Sequence, residues 1–279
     1  MGAALAARLK DVGHEIMVWN RTSDKARSLG FAFLETPQKL AQACDTVVTI
    51  LTDGKAVDEV YAQMLAADVK GKLFIEMSTV RAAVHIEMNK KVKAKGAAYV
   101  ESPVGGTTGP AREGKLFGFA GGDSADVERA MPLLKQMCRR VEHVGAAGAG
   151  ARMKLAINLP LLCYWAALAE SLSLARSLGL EEGRLMDILA DTSGAAAMMK
   201  NRAPIIAAAL AGKEPAVSSN IDTMRKDLSE MIAEARELGW QAPMTERALQ
   251  HFDYASKQGL GAKDCVMLPV NWSAKPQKL

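Results

Sequence analysis

Aromatic rings are scarce in this chain. They make up only 5% of its 279 residues, while 49% are hydrophobic, so any core must be assembled from Ala, Leu, Val and Met. Cysteine is scarce too. Cys44, Cys138, Cys163 and Cys265 follow no zinc or redox spacing, and their apolar surroundings mark them as reduced core residues in a reducing compartment. Histidine is limited to His14, His85, His143 and His251, too scattered for ligands to converge, and no metal site is expected. Charged residues are 24% of the chain with a net charge of +4 and no basic block. Nucleic-acid binders cluster Lys and Arg on one face, so no such partner is expected. The small excess suits an anionic ligand. No signal peptide reads from Met1 to Leu9. The longest apolar run, Leu155–Ala169, contains Asn158 and falls short of the ~20 residues a membrane span needs. A cytoplasmic location with no membrane partner is expected.

What is present is an alternation. Strand-like runs at Glu15–Trp19, Phe31–Leu34, Thr46–Leu51, Leu73–Ile75, Tyr99–Val100 and Leu116–Ala120 are separated by helical runs at Ser23–Leu29, Pro37–Ala43, Lys55–Ala66 and Arg81–Lys95. This order predicts a doubly wound parallel sheet with helices on its faces. The pattern changes near Gly145. Gly145, Gly148 and Gly150 open a helical run from Ala151 to Leu178, interrupted only by Pro160 and closed by Gly179. Beyond it, Glu182–Ala190, Pro204–Leu210, Ile221–Leu238 and Met244–Lys257 read as helices, and the polar tail from Asn271 reads as frayed. Two domains are therefore expected: an α/β domain over 1–147 and an all-α domain over 148–279.

A dinucleotide-binding unit needs a strand, Gly-x-Gly-x-x-Gly and a helix, because glycines let the backbone approach a pyrophosphate seated on the helix N-terminus. Of that fingerprint only Gly2 is present, at the start of a helix. The context supplies the rest: helix, Gly13-His14, strand, and then Trp19-Asn20-Arg21-Thr22, where the ribose-reading residue belongs. An acidic residue there would accept ribose hydroxyls, and none is present. Arg21 can grip a 2′-phosphate and Thr22 can donate to it, so NADP(H) is the expected cofactor, with NAD possible in its place.

Four segments together resemble the β-hydroxyacid dehydrogenases, the 3-hydroxyisobutyrate dehydrogenase-related enzymes that share the 6-phosphogluconate dehydrogenase-like fold. They are Met1-Gly2 through Asn20-Arg21-Thr22, Glu101-Ser102-Pro103-Val104-Gly105-Gly106 through Gly114-Lys115-Leu116, Gly148-Ala149-Gly150-Ala151-Arg152-Met153-Lys154 with Asn158, and Lys226-Asp227-Leu228. The likeness runs from Met1 to about Met267. It implies a Rossmann-like domain followed by a helical substrate domain that also dimerises, giving a dimer or tetramer. It implies hydride transfer between NADP(H) and a small β-hydroxyacid or its semialdehyde. Lys154 resembles the lysine that exchanges a proton with the substrate oxygen, and Asn158 the asparagine that orients the substrate. Leu51 and Thr52 match the cofactor-touching loop, Thr79 the threonine beside the nicotinamide, and Lys226 the lysine that reaches towards the cofactor. In the family a strand and Gly-x-Gly precede the position of Met1. The first strand of the sheet is thus missing here, and ~10 further residues are expected upstream of a start assigned too late.

Elementary chemistry agrees with the lysine. Hydride transfer creates or removes charge on an oxygen, and a positioned acid or base must carry the proton. Lys154 sits among Leu155, Ile157, Leu159 and Leu161, where a charge needs a reason. The family's substrate segment reads Pro-Val-Ser-Gly-Gly, whereas here it reads Pro103-Val104-Gly105-Gly106-Thr107. The carboxylate-binding serine is replaced by Gly105. Backbone N–H groups of Gly105 and Gly106 can form an anion nest, with Thr107 supplying a hydroxyl. Two other readings stand beside this one. An imine reductase on the same fold is disfavoured by Lys154, because that group commonly lacks the lysine. A dinucleotide-binding protein without turnover is favoured by the shortened glycine fingerprint and the absent serine.

Overall fold

The computed structural model describes residues 1–274. It divides into two compact units, Met1–Leu155 and a second from Ala156 onward. The first unit runs α1 (Gly2–Asp11), β1 (Met17–Val18), α2 (Ser23–Arg27), β2 (Ala32–Phe33), α3 (Pro37–Ala43), β3 (Thr46–Thr49), α4 (Gly54–Met64), β4 (Leu73–Glu76), α5 (Ala82–Ala94) and β5 (Ala98–Glu101). It continues through β6 (Val104–Gly105), α6 (Thr108–Arg112), β7 (Leu116–Gly121), α7 (Ser124–Met137) and β8 (Cys138–Gly145). Local chemistry sets the helix starts: Thr36 accepts from the Lys39 N–H ahead of α3, with Pro37 at its first position, and Asp53 accepts from the Ala56 N–H at α4.

The sheet is Rossmann-like but mixed. β3, β4 and β5 run parallel in the order of the chain, each crossover carrying a helix. β5 and β6 both pair antiparallel with β7, which pairs parallel with β8. The expected parallel order holds from β3 to β5 and breaks at the antiparallel β7, and connection length gives the reason. The β6–β7 link holds only the short α6, whereas a parallel crossover needs a dozen or more residues, which α7 supplies before β8. β1 and β2 form a separate two-stranded parallel sheet.

Side chains of the central strands alternate between two cores. Leu73, Ile75, Ala98 and Val100 face one cluster with Leu5 and Leu9 of α1 and Leu134 and Met137 of α7. Phe74 and Tyr99 face the other, with Val57, Tyr61 and Met64 of α4 and Val92 of α5. Strands buried on both faces are what a sheet covered by helices on each side requires.

The long helix α8 (Ala149–Ala175) begins in the first unit and continues into the second, then tightens over Arg176–Leu178 and stops at Gly179 in the left-handed conformation (φ 65°). At 30 residues, Ala149–Leu178 is long and apolar enough by length and composition to cross a membrane, which the shorter run counted from sequence was not. Leu162, Trp165, Ala166, Leu168, Ala169 and Leu172 of this helix are buried within the protein. The second unit adds α9 (Glu182–Ala190), α10 (Met199–Leu210), α11 (Ile221–Glu237), α12 (Pro243–Ala255) and α13 (Met267–Trp272). α10 starts five residues before Pro204, because Met199, Ala203 and Ile206 share one buried face that outweighs the bond proline cannot make. Asn271 and Trp272, expected to fray, end α13, where the Trp272 ring stacks on His251 at 4.1 Å. The remainder of that tail, 275–279, lies outside the described residues. All four cysteines are free thiols. Cys138 and Cys265 are buried, and Cys44 and Cys163 are half-buried.

Candidate active site

The C-terminal ends of three parallel strands lie side by side, with Thr49, Glu76 and Glu101 in one register. In open α/β sheets ligands bind beyond this edge of the sheet. The segments that leave it contain Leu51 and Thr52 after β3, Thr79 after β4 and, beyond β5, Gly105 at the end of β6 with Gly106 and Thr107 after it. The structure thus brings these sequence-selected residues to one edge. The first two loops are also tied together, since the Leu51 N–H donates to Ser78 Oγ at 2.7 Å.

Lys154 belongs to α8 and is buried, with 8% of its surface exposed. The start of α8 is fastened to the same edge: Glu101 Oε1 accepts from the N–H of Gly148 at 2.7 Å and of Gly150 at 2.8 Å. Gly106 has φ 126°, and a Cβ there would meet Leu116 Cδ2 at 2.7 Å, so only glycine fits. Gly105 is less constrained: a Cβ there would find nothing nearer than Phe117 O at 3.8 Å, but its pairing with Phe117 takes its N–H into the ladder, so of the expected two-glycine nest only the Gly106 N–H remains for an anion. Thr107 precedes α6 without capping it, and Thr107 remains half-buried.

At the same edge, Gly2 is the first residue of α1, where a Cβ would stand 3.3 Å from Ile50 Cγ2, the residue before Leu51, and the first turn of α1 carries no acidic side chain. Asn20, Arg21 and Thr22 form an exposed loop after β1, folded as an Asx turn in which Thr22 N–H donates to Asn20 Oδ1 at 2.8 Å. A helix N-terminus free of carboxylates and a loop presenting Arg21 fit a dinucleotide phosphate chain and a 2′-phosphate. Asn158 and Lys226 belong to the second unit. Asn158 is half-buried four residues after Lys154 in the same helix, and Lys226 is paired with Asp227 at 2.6 Å on α11.

A buried polar cluster escaped the sequence reading. Glu76 Oε2 accepts from Thr49 Oγ1 at 2.6 Å, Thr49 Oγ1 lies 3.0 Å from Tyr61 Oη, and Glu76 Oε1 accepts from the Ser78 N–H at 2.7 Å. Beside it His85 Nδ1 lies 2.8 Å from Tyr99 Oη and 3.4 Å from Glu101 Oε2. Burial pushes both carboxyls up to about 7, against the hydrogen bonds from Ser78 and Thr49 at Glu76 and from Gly150 and Gly148 at Glu101. Burial pushes His85 down to about 3, so it is a neutral imidazole. The signal was present: an acidic residue closes two apolar strands, as Ile75-Glu76-Met77 and Val100-Glu101-Ser102.

Comparison with known proteins places this geometry. A family model described as the NAD binding domain of 6-phosphogluconate dehydrogenase matches residues 1–145. A second, described as the NAD-binding of NADP-dependent 3-hydroxyisobutyrate dehydrogenase, matches 148–269. The chain is 31% identical over 270 residues to glyoxylate/succinic semialdehyde reductase 1 of Arabidopsis thaliana, covering 95% of this chain and 92% of that one. It is 30% identical over 280 residues to 2-(hydroxymethyl)glutarate dehydrogenase of Eubacterium barkeri, covering 98% and 91%. The solved 3-hydroxyisobutyrate dehydrogenase of Mycobacterium tuberculosis with L-serine superposes with a TM-score of 0.83 at 27% identity, covering 98% of this chain and 96% of that one.

Proposed function

The chain belongs to the β-hydroxyacid dehydrogenase family, and from that premise we propose which of its residues carry the reaction. It is an NADP(H)-dependent oxidoreductase that moves a hydride between the cofactor and a small β-hydroxyacid or its semialdehyde. The observation that carries the residue assignment is Lys154, a buried amine on a helix whose first turn is fastened to the strand ends.

Gly2, Asn20, Arg21, Thr22, Leu51, Thr52 and Thr79 would hold the cofactor, with Arg21 selecting the 2′-phosphate. When bound, the cofactor supplies or accepts the hydride. The chain's own part is binding and proton transfer. The Gly106 N–H and the Thr107 hydroxyl, at the end of the ladder in which Gly105 pairs with Phe117, bind the substrate carboxylate and set the orientation of the reacting carbon. Asn158 hydrogen-bonds the substrate oxygen. In reduction, hydride arrives at the carbonyl carbon, the C=O π pair moves to oxygen, and Lys154 Nζ gives that oxygen a proton. Oxidation reverses each step, with Lys154 as the base.

The preference for the phosphorylated cofactor favours reduction in the cell. Four free thiols support a reducing, cytoplasmic compartment. The exposed Leu174, Leu178, Trp240 and Met244 of the second unit support a homodimer or homotetramer.

The test is consumption of NADPH with a panel of aldehydo-acids that includes glyoxylate and succinic semialdehyde, named in the Arabidopsis relative. Lys154→Ala should lower kcat by about 10²–10⁴-fold while NADPH still binds. A variant that keeps more than about a tenth of the rate removes Lys154 from the chemistry. No turnover by the unaltered protein on any member of the panel would favour a binding protein without catalysis.

A further inference from the structure

We propose that Glu101 is a positioning residue of the proton-transfer site: its buried carboxylate, seated in a socket of three glycines, fixes the first turn of α8 and so sets where Lys154 stands. This rests on the reading of Lys154 given above.

The socket is built at backbone level. Glu101 is the last residue of β5 and has no exposed surface. Its Oε1 accepts from the N–H groups of both Gly148 and Gly150, the residues that flank the first position of α8. Two of the three glycines leave no room for a side chain without displacing the carboxylate or the neighbouring strand. A Cβ on Gly121 would overlap Glu101 Oε1 itself, and one on Gly150 would overlap the Phe119 carbonyl. Gly148 adopts φ 97°, and a Cβ there would press on Ile86 at 3.0 Å. The glycines at 148 and 150, read from sequence as a helix opening and as part of a family segment, thus serve the carboxylate.

Lys154 follows Gly150 by four residues without a break in the helix. A helix is stiff along its axis, so displacement of its first turn moves Nζ with it. The groups facing the carboxyl are neutral His85 on α5, Tyr99 on β5, Glu76 in register on β4 and Arg152 on α8. Among the described residues Oε2, although buried, takes no hydrogen bond. The positional grip therefore resides in Oε1, and an oxygen that accepts from two N–H groups there is the property that matters, in either charge state.

The test separates position from mere stability. Glu101→Gln keeps a carbonyl oxygen at the Oε1 position. Glu101→Asp keeps the charge but withdraws the oxygen by one methylene. With NADPH and the best substrate, Asp should lose about 30–100-fold in kcat, since an error of about 1 Å in a reacting group costs that much. KM and the NADPH dissociation constant should stay within about twofold, and Gln should lose less than about fivefold. If Asp folds by circular dichroism and keeps kcat, or if its loss falls on KM and NADPH binding instead, the proposal is overturned. If Asp does not fold, Gln decides: a kcat loss matching that of Lys154→Ala, with a native melting temperature, overturns it, and a loss below about fivefold upholds it. Lys154→Ala run beside them distinguishes the two ideas. An inactive lysine variant with an unimpaired Asp variant removes only Glu101, whereas an active lysine variant removes the assignment beneath it.

Discussion

Glu76→Gln should flatten the dependence of stability on pH. Glu76 is fully buried at the end of β4, and burial lifts its carboxyl from an ordinary value near 4.5 to about 7, despite hydrogen bonds from Ser78, Thr49 and the Met77 N–H. Between those two values the native chain keeps a proton that the unfolded chain has released. The stabilisation from this group is therefore complete below pH 4.5 and declines as pH rises, until it is gone above about 7. A shift of that size, at ~1.4 kcal/mol per pH unit, corresponds to roughly 3 kcal/mol. Glutamine replaces the group with little rearrangement. Its carbonyl still accepts from the Ser78 N–H, and its amide donates to Thr49 Oγ1, which then turns its own hydrogen to Tyr61 Oη. Urea unfolding followed by circular dichroism at pH 5, 6, 7 and 8 gives the difference between the two proteins at each pH. Background titration, including that of Glu101, is common to both and cancels. The variant should gain roughly 2.5 kcal/mol relative to the unaltered protein between pH 5 and pH 8, the rest of the shift lying below pH 5. A difference that stays constant across that range, within about 1 kcal/mol, would refute the reasoning.

The first unit was legible because its central strands β4 and β5 are buried on both faces and β3 on one. Thr46–Thr49, Leu73–Glu76 and Ala98–Glu101 announce themselves as apolar runs between helical periods, and Pro37–Ala43 was bounded at both ends by its own residues. The strands and helices after β5 were less legible. Val104–Gly105 and Thr108–Arg112 are too short to carry a period, and α7 contains Pro132. The antiparallel turn at β7 depends on connection length rather than on composition. At the site, Lys154 and the loop glycines were visible because a charge in an apolar helix and glycines at a turn are local anomalies. Glu101 was not, since its meaning comes from Gly121, Gly148 and Gly150, which the fold brings to it from two directions. The pairing of Glu76 with Thr49 and Tyr61 is likewise a property of neighbouring strands and of α4, which no single segment displays.

Three further perturbations probe the cofactor and substrate ends. Exchanging Asn20→Asp together with Arg21→Leu should reverse the cofactor preference measured by fluorescence titration, because a carboxylate then meets the ribose where a cation stood; equal affinities of the unaltered protein for NADPH and NADH would defeat this. Ser78→Ala removes the acceptor of the Leu51 N–H and should raise the NADPH dissociation constant about fivefold, the equivalent of one ordinary hydrogen bond, with an unchanged constant as the contrary result. Gly105→Ser restores the hydroxyl that the family carries at this position, and the structure has room for it. The residue pairs with Phe117 in a short antiparallel ladder, and its backbone is not left-handed. A Cβ there meets Phe117 O and Cβ only at 3.8 and 3.9 Å, which is ordinary contact. Stability should therefore change by no more than about 0.5 kcal/mol. A new hydroxyl that donates to a substrate carboxylate is a hydrogen bond to a charged group, worth about 1.5–3 kcal/mol, so KM for carboxylate substrates should fall about tenfold or more. An aldehyde of similar size without a carboxylate provides the control, since its KM should not follow. If the serine variant folds normally yet KM is unchanged for every acid, or falls equally for the uncharged aldehyde, then position 105 does not face the substrate carboxylate and the carboxylate site at Gly106 and Thr107 is misplaced.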